Sequence, residues 1–112
     1  MAIHILEDDP GVSDSLRLFL QGLGHDAFVY PDAESFFEAD PPGADDTIIV
    51  DLNLPGISGA QVIVWLRTLA EPPRVVAITG QSQTVIEKLR ASLGDVMVLR
   101  KPLSSRILAD IV

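Results

Sequence analysis

Four short stretches of this chain carry side chains that could do chemistry together: Glu7-Asp8-Asp9, Asp51, Thr79-Gly80 and Lys101-Pro102. Carboxylates brought close repel one another, and without a cation some of them keep their protons. A hard divalent ion relieves that repulsion. Mg²⁺ suits such a group because it takes oxygen ligands, retains several waters and commonly bridges carboxylates to a phosphate. An ammonium group among the carboxylates would hold them together before a phosphate arrives and pair with a phosphoryl oxygen afterwards.

Taken singly, each stretch has a plainer reading. Asp9 precedes Pro10 and reads as a helix N-cap with proline at the first helical position. Thr79 alone reads as a β-branched strand residue, and Lys101 alone as a solvated lysine. Pro102 restricts the residue before it and so constrains where the lysine sits. Asp51 could be an ordinary acid after a strand, but Leu52-Asn53-Leu54-Pro55-Gly56 follows it. Pro55-Gly56 prescribes a tight turn, which would set the main-chain carbonyl of Asn53 near the same rim as another oxygen ligand.

The elements that must position these residues show in the hydrophobic rhythm. Five short runs rich in Ile and Val read as strands: Ile3 to Leu6, Ala27 to Tyr30, Thr47 to Val50, Val75 to Thr79, and Val96 to Leu99. Their near-continuous hydrophobicity is that of parallel strands covered on both faces. Helical patterns alternate with them. The first runs from about Pro10 to Leu23, with Val12, Leu16, Phe19, Leu20 and Leu23 on one face. A second starts near Asp32 and turns Phe36 and Phe37 inward before Pro41-Pro42-Gly43 breaks it. A third covers about Ser58 to Ala70, burying Val62, Ile63, Leu66 and Leu69. A fourth covers about Thr84 to Ser92, burying Val85, Ile86 and Leu89. The last begins near Ser104 and is cut off by the end of the chain.

Strict alternation of strand and helix implies βαβ crossovers and a parallel sheet. Five strands in this length fit an α/β, flavodoxin-like (βα)5 three-layer sandwich with strand order 2-1-3-4-5. Ligands in such sheets bind beyond the carboxyl ends of the strands, where the order reverses. The first strand ends at Glu7-Asp8-Asp9, the third at Asp51, the fourth at Thr79 and the fifth just before Lys101. All four stretches therefore converge on one rim.

Composition bounds the function. The chain has 112 residues, one domain's worth over 1–112, and 47% apolar residues, enough for a core. Sixteen acidic against eight basic residues give a net charge of −8, and no basic stripe forms. Direct nucleic-acid binding, which needs Lys and Arg gathered on one face, is therefore not expected. The apolar runs are too short to span a bilayer. The absence of cysteine removes disulfides and thiolate metal sites and is compatible with a cytoplasmic location.

Together, Ile5-Leu6-Glu7-Asp8-Asp9, Ile49-Val50-Asp51-Leu52-Asn53-Leu54-Pro55 with Gly59, Ile78-Thr79-Gly80, and Lys101-Pro102 resemble the receiver domain of two-component response regulators. The resemblance covers essentially the whole chain. Phe28 to Phe37 and the Ile78-Thr79-Gly80 block look most like receivers of FixJ/NarL-type transcriptional regulators. The resemblance implies that Asp51 accepts a phosphoryl group from a sensor histidine kinase. It makes Asp8 the direct Mg²⁺ ligand, places Glu7 close by, and takes the Asn53 main-chain carbonyl as a further ligand. Thr79 would bond a phosphoryl oxygen and Lys101 would pair with the phosphoryl group. The switched surface would be the face of helix 4, strand 5 and helix 5, with a homodimer through that face as a fair expectation.

Two departures stand out. Many receivers carry an aromatic residue three positions before the lysine; here that residue is Val98, so an aromatic toggle is not expected. The final helix is short, or an output domain has been removed after Val112. The principal alternative is a pseudo-receiver that binds partners without phosphate. A haloacid-dehalogenase-like phosphatase or mutase would need a second Asp two residues after the first, where Asn53 stands. Nucleotide binding would need a Gly-rich loop after the first strand, and none is present.

Overall fold

The computed structural model describes residues 2–112. Five strands alternate with five helices: β1 (Ala2–Leu6), α1 (Pro10–Gly22), β2 (Asp26–Tyr30), α2 (Ala33–Glu38), β3 (Thr47–Asp51), α3 (Gly59–Leu66), β4 (Arg74–Thr79), α4 (Gln83–Leu93), β5 (Met97–Arg100) and α5 (Ser105–Ile111). The strands pair in parallel in the order β2-β1-β3-β4-β5, as the alternation predicts.

Every helix starts on a side chain that accepts a bond from its own first turn. Asp9, Asp32, Ser58, Ser82 and Ser104 are the five N-caps. Such caps satisfy backbone donors that the helix itself leaves free. At Ser58 the cap is reciprocal, because Gln61 Oε1 accepts from Ser58 N at 2.9 Å. That reciprocal cap fixes the start of α3, the helix nearest Asp51.

Period-2 alternation along the strands divides the core between two faces of the sheet. Ile3, Ile5, Ile49, Val76 and Ile78 pack with Leu16 and Leu20 of α1 and Leu108 and Ile111 of α5. Leu6, Ile48, Val50 and Ala77 pack on the other face with Phe36, Val62, Ile63, Leu66 and Leu93 from α2, α3 and α4. The molecule is thus three layers, with β3 buried at all five residues.

Some sequence expectations shift. The third helix ends at Leu66 rather than Ala70; Arg67 is its C-cap, and Leu69 packs on the core from the turn that follows. The fifth strand runs Met97–Arg100, one residue later than the hydrophobic run suggests. Of the two phenylalanines assigned to the interior of the second helix, only Phe36 is buried, and Phe37 is 38% exposed. A six-residue helix turns only one narrow stripe inward, and adjacent positions cannot both lie on it. Leu23 is exposed as well, because α1 closes at Gly22 and the chain turns away there.

Candidate active site at the carboxyl ends of the strands

Strand order reverses between β1 and β3, and the crevice beyond their carboxyl ends collects the charged residues. Glu7 follows β1 directly and is 1% exposed; Asp51 is the last residue of β3 and 3% exposed. Asp8 is exposed beside them. Carboxylate oxygens of Glu7, Asp8 and Asp51 all lie within 4.8 Å of one another. Asp9 stands apart as the α1 N-cap, its Oδ1 accepting from Gly11 N at 2.9 Å.

Lys101, immediately after β5, reaches across this group. Its Nζ donates to Asp51 Oδ2 at 3.0 Å and lies 2.6 Å from Glu7 Oε1. The contact with Glu7 is a close ion pair without hydrogen-bond alignment, and Glu7 Oε1 is buried with no aligned donor. The Lys101-Pro102 peptide bond is cis, and Lys101 N donates to Thr79 O at 2.7 Å. That hydrogen bond ties the base of the lysine to the end of β4.

One lysine faces two buried acids, so the cluster carries an excess negative charge if both ionise. Burial, and then the neighbouring Asp51, push the Glu7 carboxyl up to about 7, against the lowering pull of Lys101. Burial also works to raise Asp51, but bonds from Glu7, from Asn53 N and from Lys101 outweigh it and leave Asp51 below its ordinary value. Lys101 is raised: burial opposes its charge, and the two acids more than compensate. The site therefore holds an ionised Asp51, a cationic lysine and a Glu7 that keeps a proton close to neutrality.

The turn after β3 shapes the Asp51 side. Asn53 N donates to Asp51 Oδ1 at 2.9 Å, which fixes the carboxylate in place. Gly56 adopts φ +71° in this turn, a conformation that favours glycine. Gly59 opens α3 so close to β3 that an added Cβ would sit 2.1 Å from the Asp51 carbonyl oxygen.

Thr79 ends β4 and is fully buried. Its Oγ1 accepts from Gln81 N at 3.0 Å. Two residues the sequence reading did not single out belong to this corner. Gln81 leaves its buried Oε1 unpartnered, and Arg100 donates from Nε to Gln81 O at 3.1 Å. Nothing in residue type marks Gln81. Arg100 is marked only by its place beside Lys101, in register with Thr79.

The structure thus gathers Glu7, Asp8, Asp51 and Lys101 at one point and sets Thr79 beside them through its bond to Lys101. Such a constellation can hold a divalent cation and an anionic group together. The response regulator receiver domain matches residues 3–112. This chain belongs to that family. It is a receiver domain of a two-component response regulator, a signalling domain by family.

Relatives agree. The transcriptional regulatory protein FixJ of Bradyrhizobium diazoefficiens is 26% identical over 100 residues, covering 89% of this chain and 49% of that protein. The sensory transduction protein RegX3 of Mycobacterium tuberculosis is 32% identical over 106 residues, covering 94% of this chain and 46% of that protein. The receiver spans about half the length of the curated relatives it matches. Among solved structures, the response regulator StyR superposes with a TM-score of 0.84 at 24% identity, over 97% of this chain and 55% of that one. A CheY-like receiver domain protein from Methanospirillum hungatei gives a TM-score of 0.84 at 19% identity, over 98% of this chain and 88% of that one. At those identities the likeness shows the fold alone. No described helix is long and apolar enough to cross a membrane.

Proposed function

We propose that Asp51 is the phosphoacceptor of a two-component phosphorelay, taking its phosphoryl group from a histidine of a sensor kinase. The observation that carries this reading is a buried Asp51 whose two carboxylate oxygens are each held, one by Lys101 Nζ and the other by Asn53 N.

The donor set fits Mg²⁺. Three carboxylates offer oxygens within 4.8 Å of one another, and Glu7 Oε1 is buried without an aligned donor. Asp8 and Asp51 would ligate the ion directly, with Glu7 close by and the Asn53 main-chain carbonyl as a further ligand. When bound, Mg²⁺ neutralises phosphoryl oxygens and so lowers the cost of in-line transfer. The chain's own residues do the rest. A carboxylate oxygen of Asp51 attacks phosphorus, the P–N bond to the donor imidazole breaks, and the imidazole leaves with its electron pair and takes up a proton. Lys101 exchanges part of its pairing with the acids for a phosphoryl oxygen. Water attacking the acyl phosphate returns the carboxylate and releases inorganic phosphate. The domain thus catalyses only its own phosphorylation and dephosphorylation.

An apolar groove of about 430 Å³ runs from Lys101, Pro102 and Leu103 to Gly11, Val12, Ser15 and Leu16 of α1, giving the donor protein a surface beside the acceptor. On phosphorylation, Thr79 Oγ1 gives up its bond from Gln81 N and donates to a phosphoryl oxygen. The loop before α4 then shifts the face of α4, β5 and α5, through which a homodimer would form. The reading places the domain in the cytoplasm, and its relatives' names point to a transcriptional output.

Incubation with acetyl phosphate and Mg²⁺, followed by intact mass, tests the assignment. Wild type gains one labile phosphate and Asp51→Asn gains none. Equal labelling of the two refutes it, and no labelling of wild type favours a phosphate-independent pseudo-receiver.

A further inference from the structure

On the side of the sheet covered by α2 and α3, Phe36, Phe37, Ala39, Pro41, Pro42 and Trp65 line a groove of about 260 Å³. Phe37 and Trp65 stand 4.9 Å apart between centroids at 70°, and both are over a third exposed. Phe36, buried behind them, meets Trp65 edge to face at 89°. The three rings and two prolines make a notch with an open mouth.

Every lining residue lies in a stretch, 18–66, that holds no Lys or Arg, and Arg67 follows two positions after Trp65. Glu38 and Asp40, on either side of the lining residue Ala39, are exposed. A neutral or acidic partner covering the rings would desolvate these acids without compensation. A basic one gains twice, because Arg and Lys pair with the acids while their stems and charged heads favour aromatic faces.

We propose that this notch docks a short basic segment of a partner protein, with an apolar or proline residue seated against Phe37 and Trp65 and Arg or Lys facing Glu38 and Asp40. The site uses none of the groups around Asp51, so it stands or falls apart from the phosphoacceptor reading.

Trp65 is the only tryptophan, so its emission reports the notch directly. The probe is a seven-residue synthetic peptide alternating arginine with leucine and proline, set against the same peptide with glutamate for each arginine. The basic peptide should give a saturable emission change that weakens with salt, and the acidic one none. The double variant Glu38→Lys with Asp40→Lys, both surface positions, should keep its circular dichroism and bind the basic peptide about tenfold more weakly, as expected when attraction becomes like-charge repulsion. No saturable change, an equal response to the acidic peptide, or unchanged affinity in the variant would overturn the proposal. An emission shift on concentrating the protein alone, with a doubled mass, would assign the notch to a second copy instead.

Discussion

Two polar clusters on this sheet differ in how fully their groups are paired. His4, in the middle of β1, places Nδ1 3.1 Å from Tyr30 Oη and Nε2 3.0 Å from Asp46 Oδ2. Asp46 also accepts from Ala2 N and Gly43 N, each at 3.0 Å. Each ring nitrogen and each carboxylate oxygen has a partner. Burial works to raise Asp46, but His4 and the two backbone donors hold its carboxyl below the ordinary value. At the carboxyl ends, Glu7, Asp8, Asp51 and Lys101 form the opposite case: acids outnumber cations, and Glu7 Oε1 lacks an aligned donor. A completed cluster ties strands together. An uncompleted one is what the proposed cation and phosphoryl group would complete.

Removing an acid should therefore have opposite consequences in the two clusters. The largest effect belongs to Asp46→Ala, which strands His4 and two backbone donors at once. It should cost about 2–3 kcal/mol in urea unfolding. A loss below about 1 kcal/mol, within the range of an ordinary surface change, would break the comparison.

Glu7→Gln should be smaller and of the other sign, neutral to stabilising by about 1–2 kcal/mol above neutral pH, because it removes like-charge repulsion without emptying the space. Its pH dependence sharpens the point. Glu7 is raised from 4.5 to about 7 on folding, so between those values the folded state binds more protons than the unfolded one. The stability this proton contributes is full below 4.5 and is lost as pH rises through about 7. Asp46 and Asp51 are lowered, so their contributions exist above the ordinary carboxylate value and vanish as pH falls through their depressed ones, on the acid side of that window. Unfolding free energies measured from pH 5 to 7 should therefore decline in wild type and flatten in Glu7→Gln. An equal slope in both would contradict the assignment.

The smallest effect is expected at Arg100→Ala. This side chain holds Gln81 O from an exposed position, so its loss should cost about 0.5–1 kcal/mol. With Val98 in place of a ring, the Gln81 loop has this tether on β5, and amide exchange at Gln81 should quicken in the variant. Unchanged exchange would remove Arg100 from any account of the switch.

Much of this was legible in the sequence because it rests on local signals. The five strands follow from short Ile/Val runs, and the starts of α1, α2, α3 and α5 from Asp or Ser placed just before amphipathic stretches; the fourth helix reads as starting at Thr84, whereas its cap is Ser82. The rim followed from topology, since parallel strands deliver their carboxyl ends to one side. What stayed hidden was set by three-dimensional company. Phe37 looks as apolar as Phe36, and only the short span of α2 decides which of the two is buried. Gln81 acquires its place from the bond its backbone N–H donates to Thr79 Oγ1, and Arg100 from the register of β5 against β4, neither of which residue type encodes. The His4–Asp46–Tyr30 cluster likewise joins residues far apart in the chain, with no motif to announce them.

The central claim, that the acidic rim is complete only with a divalent cation, is tested most directly by thermal melting with and without Mg²⁺. Ten times the dissociation constant should stabilise wild type by about 1.4 kcal/mol. For a domain of this size that raises Tm by about 5 °C. Asp51→Asn should lose most of the rise. A wild-type Tm indifferent to Mg²⁺, or the same rise in Asp51→Asn, would contradict the account.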